Sequence, residues 1–577
     1  MGQVEAEAPV SFWRAKLAGW NEAIRRNEDK FFLVLTLAIG ALVGLVVVAF
    51  ILVTEGFNRR LYPGDHAAWR RIVLPVAGSL FMGYLLQRFF PDARGSGIPQ
   101  TKVALFVRNG KIRLRTVFGK FFCASVSLAS GLALGREGPS VQIGAGIASQ
   151  IGQKLGLGPE RLKALIPVGA SAALAAAFNT PIAAVLFSLE EVMGDLHAPV
   201  LGSVVLSSAI SWVVLHLILG DDPLFHVPPY QLVHPVEFLL YAVLGVLGGF
   251  VSVAFVKLTL FLRGFFLRQP AWTRAYQPVF GGIVTGLLGL AVPEVLGVGY
   301  DYVNQVLNGH VVAGFLALLV VMKLIATASC YGSGNAGGIF GPALFIGAML
   351  GGSVGSLAHH WFPHYAGTAG AYALVGMGAA FAGIIRTPFT SVFMIFELTR
   401  DYSIVVPLMI ANMISYYLSW RFQKQPIYEA LSRQEGIHLP EHGGGRSGGA
   451  SMQVLAALEK DAPTFLPSMT VAQFLTAAPH GDCLLAEDNL VIQVVPRAKI
   501  EEAFAQGRGG DALATLAHEI PGAEIFPHLH IDHGLDVALQ RMGKTGLSLL
   551  PVTDRANVRL LKGMVTLDGI MHAYGVQ

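Results

Sequence analysis

Three glycine-rich segments of the chain carry residue types that could hold a small anion. They are Gly95-Ser96-Gly97-Ile98-Pro99, Gly135-Arg136-Glu137-Gly138-Pro139 and Gly337-Gly338-Ile339-Phe340-Gly341-Pro342. Each reads as a helix start: glycines allow close backbone approach, and a proline in the first turn loses nothing by lacking an N–H. A helix start offers unpaired N–H groups and about half a positive charge, so several starts aimed at one point make an anion site. No cationic side chain is needed there, and an ammonium would hold a small anion too long for rapid transport. A single such motif could equally serve only close helix packing. Three together favour the anion site.

Carboxylates supply the second kind of chemistry. Glu137 lies inside one of these apolar helix starts, where insertion scales charge about 2.5–3.5 kcal/mol for Asp or a basic residue, so a functional role outweighs mere dipole stabilisation. The adjacent pair Glu190 and Glu191 ends the apolar run AAAFNTPIAAVLFSL. Lys120 and Arg136 either raise the local positive potential or pair a carboxylate. In PHLHIDHGLD, alternation puts His528 and His530 on one strand face, with Asp532, His533 and Asp536 nearby. A turn before a helix explains this segment better than a metal, and no metal site or cofactor is expected. Cys123, Cys330 and Cys483 lack ligand-like spacing and read as packing residues.

The elements that position these groups belong to a membrane. Of 577 residues 53% are hydrophobic and only 14% charged, whereas soluble domains carry about 25% charged residues. That excludes a soluble globular enzyme, and no enzymatic activity is expected. A net charge of +4 is too balanced for nucleic-acid binding. Residues 1–30 form an arm in which Trp13, Leu17, Trp20 and Ile24 suit one face of an interfacial helix, and no signal-peptide core precedes it. A long uncharged span follows Lys30. Further charge-poor stretches lie at 72–87, 117–134, 164–189, 198–220, 238–256, 277–293, 311–357, 368–399 and 403–420. Leu324 to Ile385 has no Asp, Glu, Lys or Arg, yet contains GSGNAGGIFGP and HHWFPHYAG, so broken helices are expected where protein buries them or water reaches them. Residues 431–450 are a linker, Gly-rich from Glu441 to Ala450. Residues 451–577 read as an α/β module with strands at GLSLLPVTD and RLLKGMVTL and a helix at GLDVALQRMG. Arg421, Lys424 and Arg433 after the last span place that module in the cytoplasm.

The membrane part, 31–430, is two homologous halves, about 31–230 and 231–430. GREGPSVQIGAGIASQIG from Gly135 aligns with GIFGPALFIGAMLGGSVG from Gly338, an offset of 338 minus 135, or 203. Thr180-Pro181 and Glu190 align with Thr387-Pro388 and Glu397; Lys120 aligns with Lys323, and Gly95 and Gly97 with Gly297 and Gly299. Glu191 has no such mate, because Leu398 stands opposite. Glu190 therefore reads as structural and Glu191 as functional, the alternative being a boundary acid facing water. Such halves commonly assemble around a central site made from half-helix ends.

GSGIP, GREGP, GGIFGP and the tyrosine of QPIYEAL, Tyr428, resemble, in family order, the four signatures of the CLC chloride channel and transporter family. The C-terminal region resembles the paired CBS modules of many members. The fold class implied is an all-α polytopic membrane protein with two inverted-repeat halves and broken helices, plus a C-terminal α/β CBS-like cytosolic domain. By the same resemblance, Ser96 and Tyr428 give hydroxyls, and Ile339 and Phe340 backbone N–H groups, to a central chloride. Glu137 is the gating glutamate and Glu191 the internal proton-transfer glutamate. Serine in GSGIP accompanies chloride preference, proline a nitrate preference. The expectation is a homodimeric chloride/proton antiporter in a lipid bilayer, with prokaryotic inner-membrane location, both termini cytoplasmic and a pathway in each subunit. The alternative is a passive CLC-type voltage- or ligand-gated chloride channel. A CBS-linked divalent-cation transporter should show converging carboxylates, and a sensory scaffold would not need three anion motifs. Nucleotide binding by the tail is not expected, because Asp568 falls two rather than three residues after Thr566, with Gly569 in the usual place of the aspartate, and the first half, Pro463 to Glu502, lacks the motif and is divergent or a remnant.

Overall fold

The computed structural model describes residues 28–574 except 64–66, 197–198, 222, 226, 228–231, 310–311, 438–451, 461–462, 479–480 and 521–525. The interfacial face of the N-terminal arm and the Gly-rich linker lie outside the described residues.

The first half comprises α1 (Glu28–Leu61), α2 (Ala68–Arg88), α3 (Ile98–Phe106), α4 (Leu114–Ala129), α5 (Glu137–Lys154), α6 (Pro159–Phe178), α7 (Pro181–Phe187), a π-helical segment Ser188–Met193, and α8 (Leu201–Leu219). The second comprises α9 (Glu237–Leu267), α10 (Gln277–Ala291), α11 (Tyr300–Leu307), α12 (Ala313–Gly332), α13 (Phe340–Trp361), α14 (Ala369–Ile385), α15 (Pro388–Thr399), α16 (Val405–Phe422) and α17 (Ile427–Gln434). Among the described residues seven helical spans are long and apolar enough to cross a membrane. The helices α3, α7 and α11 have 9, 7 and 8 residues and cannot cross alone.

Three of the charge-poor stretches are each split. The 164–189 stretch breaks at Asn179 (φ 61°) and 368–399 at Arg386 (φ 71°), both closing a helix in the left-handed region before Thr-Pro restarts the next. The 311–357 stretch breaks between α12 and α13. Asn179 and Arg386 are repeat mates, so the break is a property of the repeated unit. Close helix crossings repeat too. A Cβ on Gly144 would lie 2.2 Å from the Gly169 carbonyl oxygen, and one on Gly347 2.3 Å from that of Gly376, so backbones touch where α5 meets α6 and α13 meets α14.

The two halves meet at one symmetric contact. Gly135 N–H donates to the Gly338 carbonyl at 2.7 Å and Gly338 N–H to the Gly135 carbonyl at 2.7 Å, an antiparallel bridge between aligned residues. Equivalent residues that exchange bonds in this way are related by a local two-fold axis. The halves are inverted. The buried lysines obey the same symmetry: Lys120 Nζ donates to Ala93 O at 2.8 Å and Gly95 O at 2.9 Å, Lys323 Nζ to Val295 O at 2.9 Å and Gly297 O at 2.6 Å. Lys120 thus holds a glycine turn rather than a carboxylate.

The C-terminal domain repeats one order of elements. A parallel bridge at Phe465 precedes α18 (Val471–Ala477), β1 (Cys483–Glu487), β2 (Leu490–Val495) and α19 (Arg497–Ala505), followed by α20 (Leu513–His518). The bridge at Leu529 likewise precedes α21 (Leu535–Thr545), β3 (Leu549–Thr553), β4 (Leu561–Thr566) and α22 (Leu567–Ala573). The first half is therefore a full unit in topology and not a remnant. β1–β2 and β3–β4 are antiparallel pairs. Val103 of α3 and Val107 just after it are buried in the same apolar cluster as Val454, Leu529 and Met542, which ties the membrane domain to this one.

Candidate functional site

The three glycine segments meet at one place. Gly337 N–H donates to the Gly95 carbonyl at 3.1 Å, and the Gly135–Gly338 bridge joins the other two. From this knot start α3, α5 and α13, with Ile98, Glu137 and Phe340 as their first residues. The approach is too close for side chains. A Cβ on Gly138 would lie 2.3 Å from Ser96 Oγ and 2.9 Å from its carbonyl oxygen, and Gly97 turns the chain at φ 106°, in the region that favours glycine.

Ser96 and Tyr428 are both fully buried. Their hydroxyls approach one another, yet neither Oγ of Ser96 nor Oη of Tyr428 makes a hydrogen bond of acceptable geometry among the described residues. Buried hydroxyls ordinarily find partners, so two orphans side by side mark a place suited to a ligand that accepts hydrogen bonds. Ile339 and Phe340, also fully buried, open α13 in the same region. The Phe340 ring packs against Phe381 at 4.3 Å, Phe178 at 4.9 Å and Phe187 at 5.1 Å between centroids. That wall lowers the local dielectric, which strengthens hydrogen bonds to an anion.

Glu137 is fully buried, and its carboxylate reaches across the repeat. Oε2 accepts from the Gly341 N–H at 3.2 Å, and Oε1 accepts from the Tyr300 hydroxyl. Here the carboxylate itself occupies the first turn of α13, where a helix dipole favours an anion. Arg136 stands over the Tyr300 ring at 5.6 Å and pairs with Glu55 at 2.8 Å, so of the two sequence alternatives it takes the ion pair.

The neighbouring carboxylates Glu190 and Glu191 serve different faces. Glu190 accepts from Thr390 N–H at 2.8 Å and Phe389 N–H at 3.3 Å, capping α15, and its mate Glu397 accepts from Ala183 and Ile182 N–H groups at 2.7 and 2.8 Å, capping α7. Glu191 points the other way, buried, onto Lys102 of α3 at 2.8 Å. The π-helical segment, a geometry frequent at functional sites, carries both.

A cavity of about 380 Å³ opens on the other side of α3. Arg94, Arg108, Lys111, Arg113, Arg263 and Arg274 line it against Asp92 and Glu435. Pro99, Gln100, Arg263 and Glu435 also line a narrow cleft with Gly95, Tyr331 and Leu431, so the basic cavity leads to the back of the Ser96 segment. In the tail, the His528 and His530 rings lie 5.2 Å apart and those of His530 and His533 5.0 Å apart between centroids, and no cluster able to hold a metal exists among the described residues.

Sequence reasoning missed Tyr300, Lys102 and Glu55. Tyr300 had a signal: at the repeat offset of 202 it stands where Ile98 opens α3, immediately after the second Gly-x-Gly turn. Lys102 had none, because Glu191 is 89 residues away.

The family model described as voltage gated chloride channel matches residues 78–420. The H(+)/Cl(-) exchange transporter ClcA of Vibrio cholerae serotype O1 (strain M66-2) is 33% identical over 426 residues, covering 71% of this chain and 91% of the relative. The crystal structure of a slow cyanobacterial Cl-/H+ antiporter is 26% identical with a TM-score of 0.65, covering 70% of this chain and 97% of that one. A eukaryotic CLC transporter structure, 22% identical with a TM-score of 0.74, covers 93% of this chain and 97% of its own, so its fold extends through the C-terminal domain.

Proposed function

The chain belongs to the voltage-gated chloride channel (CLC) family, and from that premise we propose that this multi-pass membrane protein exchanges chloride for protons. Chloride binds between the hydroxyls of Ser96 and Tyr428 and the N–H groups that open α13 at Ile339 and Phe340. The pair of orphan hydroxyls carries this reading. A hydroxyl donates to chloride without bringing a full charge, so the ion is held and then released. The helix starts Gly95, Gly97, Ile98, Pro99, Gly135, Arg136, Gly138, Pro139, Gly338, Gly341 and Pro342 supply the backbone that makes room for it.

Glu137 is the gate. Ionised, it fills the anion position beside Gly341; protonated, it loses its claim on the dipole and leaves. Glu191 exchanges protons with the cytoplasmic side and passes them toward Glu137. A passive channel would need the first carboxylate only, whereas the second, buried behind α3 and without a repeat mate, favours exchange. The relatives named as H(+)/Cl(-) exchangers and Cl-/H+ antiporters support the same reading. Chloride and protons are substrates, with no cofactor. We further propose a homodimer with a pathway in each subunit, in a prokaryotic inner membrane, both termini cytoplasmic; Arg421, Lys424 and Arg433 after the last span support that orientation.

The anion site is tested by bromide. Crystals soaked in bromide should show an anomalous peak between Ser96 Oγ and Tyr428 Oη that Tyr428→Ala reduces. A peak elsewhere in the membrane domain, unaffected by that substitution, contradicts the assignment.

A further inference from the structure

The short helix α3 lies between the two routes just described. Its start carries Ser96 of the anion site, and its sixth residue after Ser96, Lys102, holds Glu191 at 2.8 Å. Both residues are nearly excluded from solvent, at 8% and 5% relative exposure. The charged groups whose fields reach Glu191 are Lys102, its neighbour Glu190 and Glu429 in the first turn of α17, with the Tyr428 hydroxyl also within reach. Of these, Lys102 alone opposes its charge. Without it, Glu191 would feel only two other carboxylates in an apolar setting, where a carboxyl group holds its proton rather than ionise.

The ammonium is itself fixed. α3 is locked at its start, where Gly97 N–H donates to Gln100 Oε1 at 3.0 Å and Thr101 Oγ1 to Gly97 O at 2.8 Å. At its other end Val103 and Val107 are buried in the apolar core of the C-terminal domain. A lysine on a helix held at both ends has few places to put its charge, and the one it takes is against Glu191.

Resting on the antiport reading, we propose that Lys102 is the positioning residue of the proton route: it keeps Glu191 ionisable and turned toward α3, so that Glu191 can take up a proton and surrender it. The proton moves between water and the Glu191 carboxylate. The anion site does not touch Lys102, so chloride movement does not require it.

The test uses full-length protein in liposomes, with chloride and proton fluxes recorded together. For K102Q the proton-to-chloride ratio should fall at least about fivefold, because the unpaired carboxyl stays protonated, while chloride flux stays within about twofold of wild type. K102R, which keeps the charge, should recover at least about half of the ratio. The double variant K102Q/E191Q leaves no unpaired buried carboxylate and should match E191Q in both fluxes, since residues that act through one contact are not additive. A wild-type ratio in K102Q, a K102R no better than K102Q, parallel loss of both fluxes, or a double variant slower in chloride than E191Q would each overturn the role. A wild type that moves no protons would instead remove the antiport reading, and this role with it.

Discussion

The Glu137 carboxylate and the Gly341 backbone N–H, 3.2 Å apart, join the two halves of the repeat at the point where α13 begins. The carboxylate is thus held by the helix of the opposite half, and Tyr300 adds a second bond to its other oxygen. A hydrogen bond to a charged group is worth about 1.5–3 kcal/mol, so losing it shifts an equilibrium by roughly tenfold or more. Tyr300→Phe should therefore populate the displaced carboxylate and raise chloride efflux several-fold. An efflux rate equal to wild type would show that Tyr300 does not hold the gate.

Anion choice should follow Ser96. Its hydroxyl is buried and makes no acceptable bond within the protein, so Ser96→Pro removes a donor meant for the ligand. Nitrate transport relative to chloride should rise. An unchanged nitrate-to-chloride ratio would take Ser96 out of the selectivity argument.

Gly138 tests whether the knot is built for close approach. A methyl group there would sit 2.3 Å from Ser96 Oγ, so Gly138→Ala must push that hydroxyl aside. Chloride affinity measured by calorimetry should fall by about tenfold, as for loss of one charge-assisted bond, with the elution of the folded protein in size-exclusion chromatography unchanged. Undiminished affinity would mean that Ser96 relaxes without cost.

The tail should not bind adenosine nucleotides. Thr566 already uses its hydroxyl within the protein, accepting from Gly569 N–H at 2.9 Å and donating to Glu459 Oε1 at 2.7 Å, and Gly569 offers no carboxylate for a ribose. Calorimetry of the full chain in detergent should show no saturable heat with ATP or AMP at physiological concentrations. Micromolar binding would contradict this.

The helix starts were legible because their backbone geometry demands glycine and proline, residues that leave a mark at Gly97, Gly138 and Gly341. The duplication was legible through the same residues, and with it the structural role of Glu190, whose mate Glu397 repeats the cap. The inverted sense was not, since an alignment carries no direction in space. Lys120 misled because burial of a lysine against carbonyl oxygens leaves no sequence pattern. The break at Arg386 was hidden for a related reason: an arginine closes a helix in the left-handed region where glycine would have announced it. Its guanidinium holds the turn by donating to Lys424 O at 2.7 Å.

Coupled flux in liposomes tests the central claim most directly. With a chloride gradient imposed, wild-type protein should drive protons against their own gradient. Glu137→Ala, which removes the gate, should leave chloride flux without proton movement. Glu191→Gln keeps size and hydrogen bonding but cannot ionise, so it too should lose proton movement and retain chloride transport. Chloride flux through the wild type with no accompanying protons, and a reversal potential that follows chloride alone, would contradict exchange and identify a passive pathway.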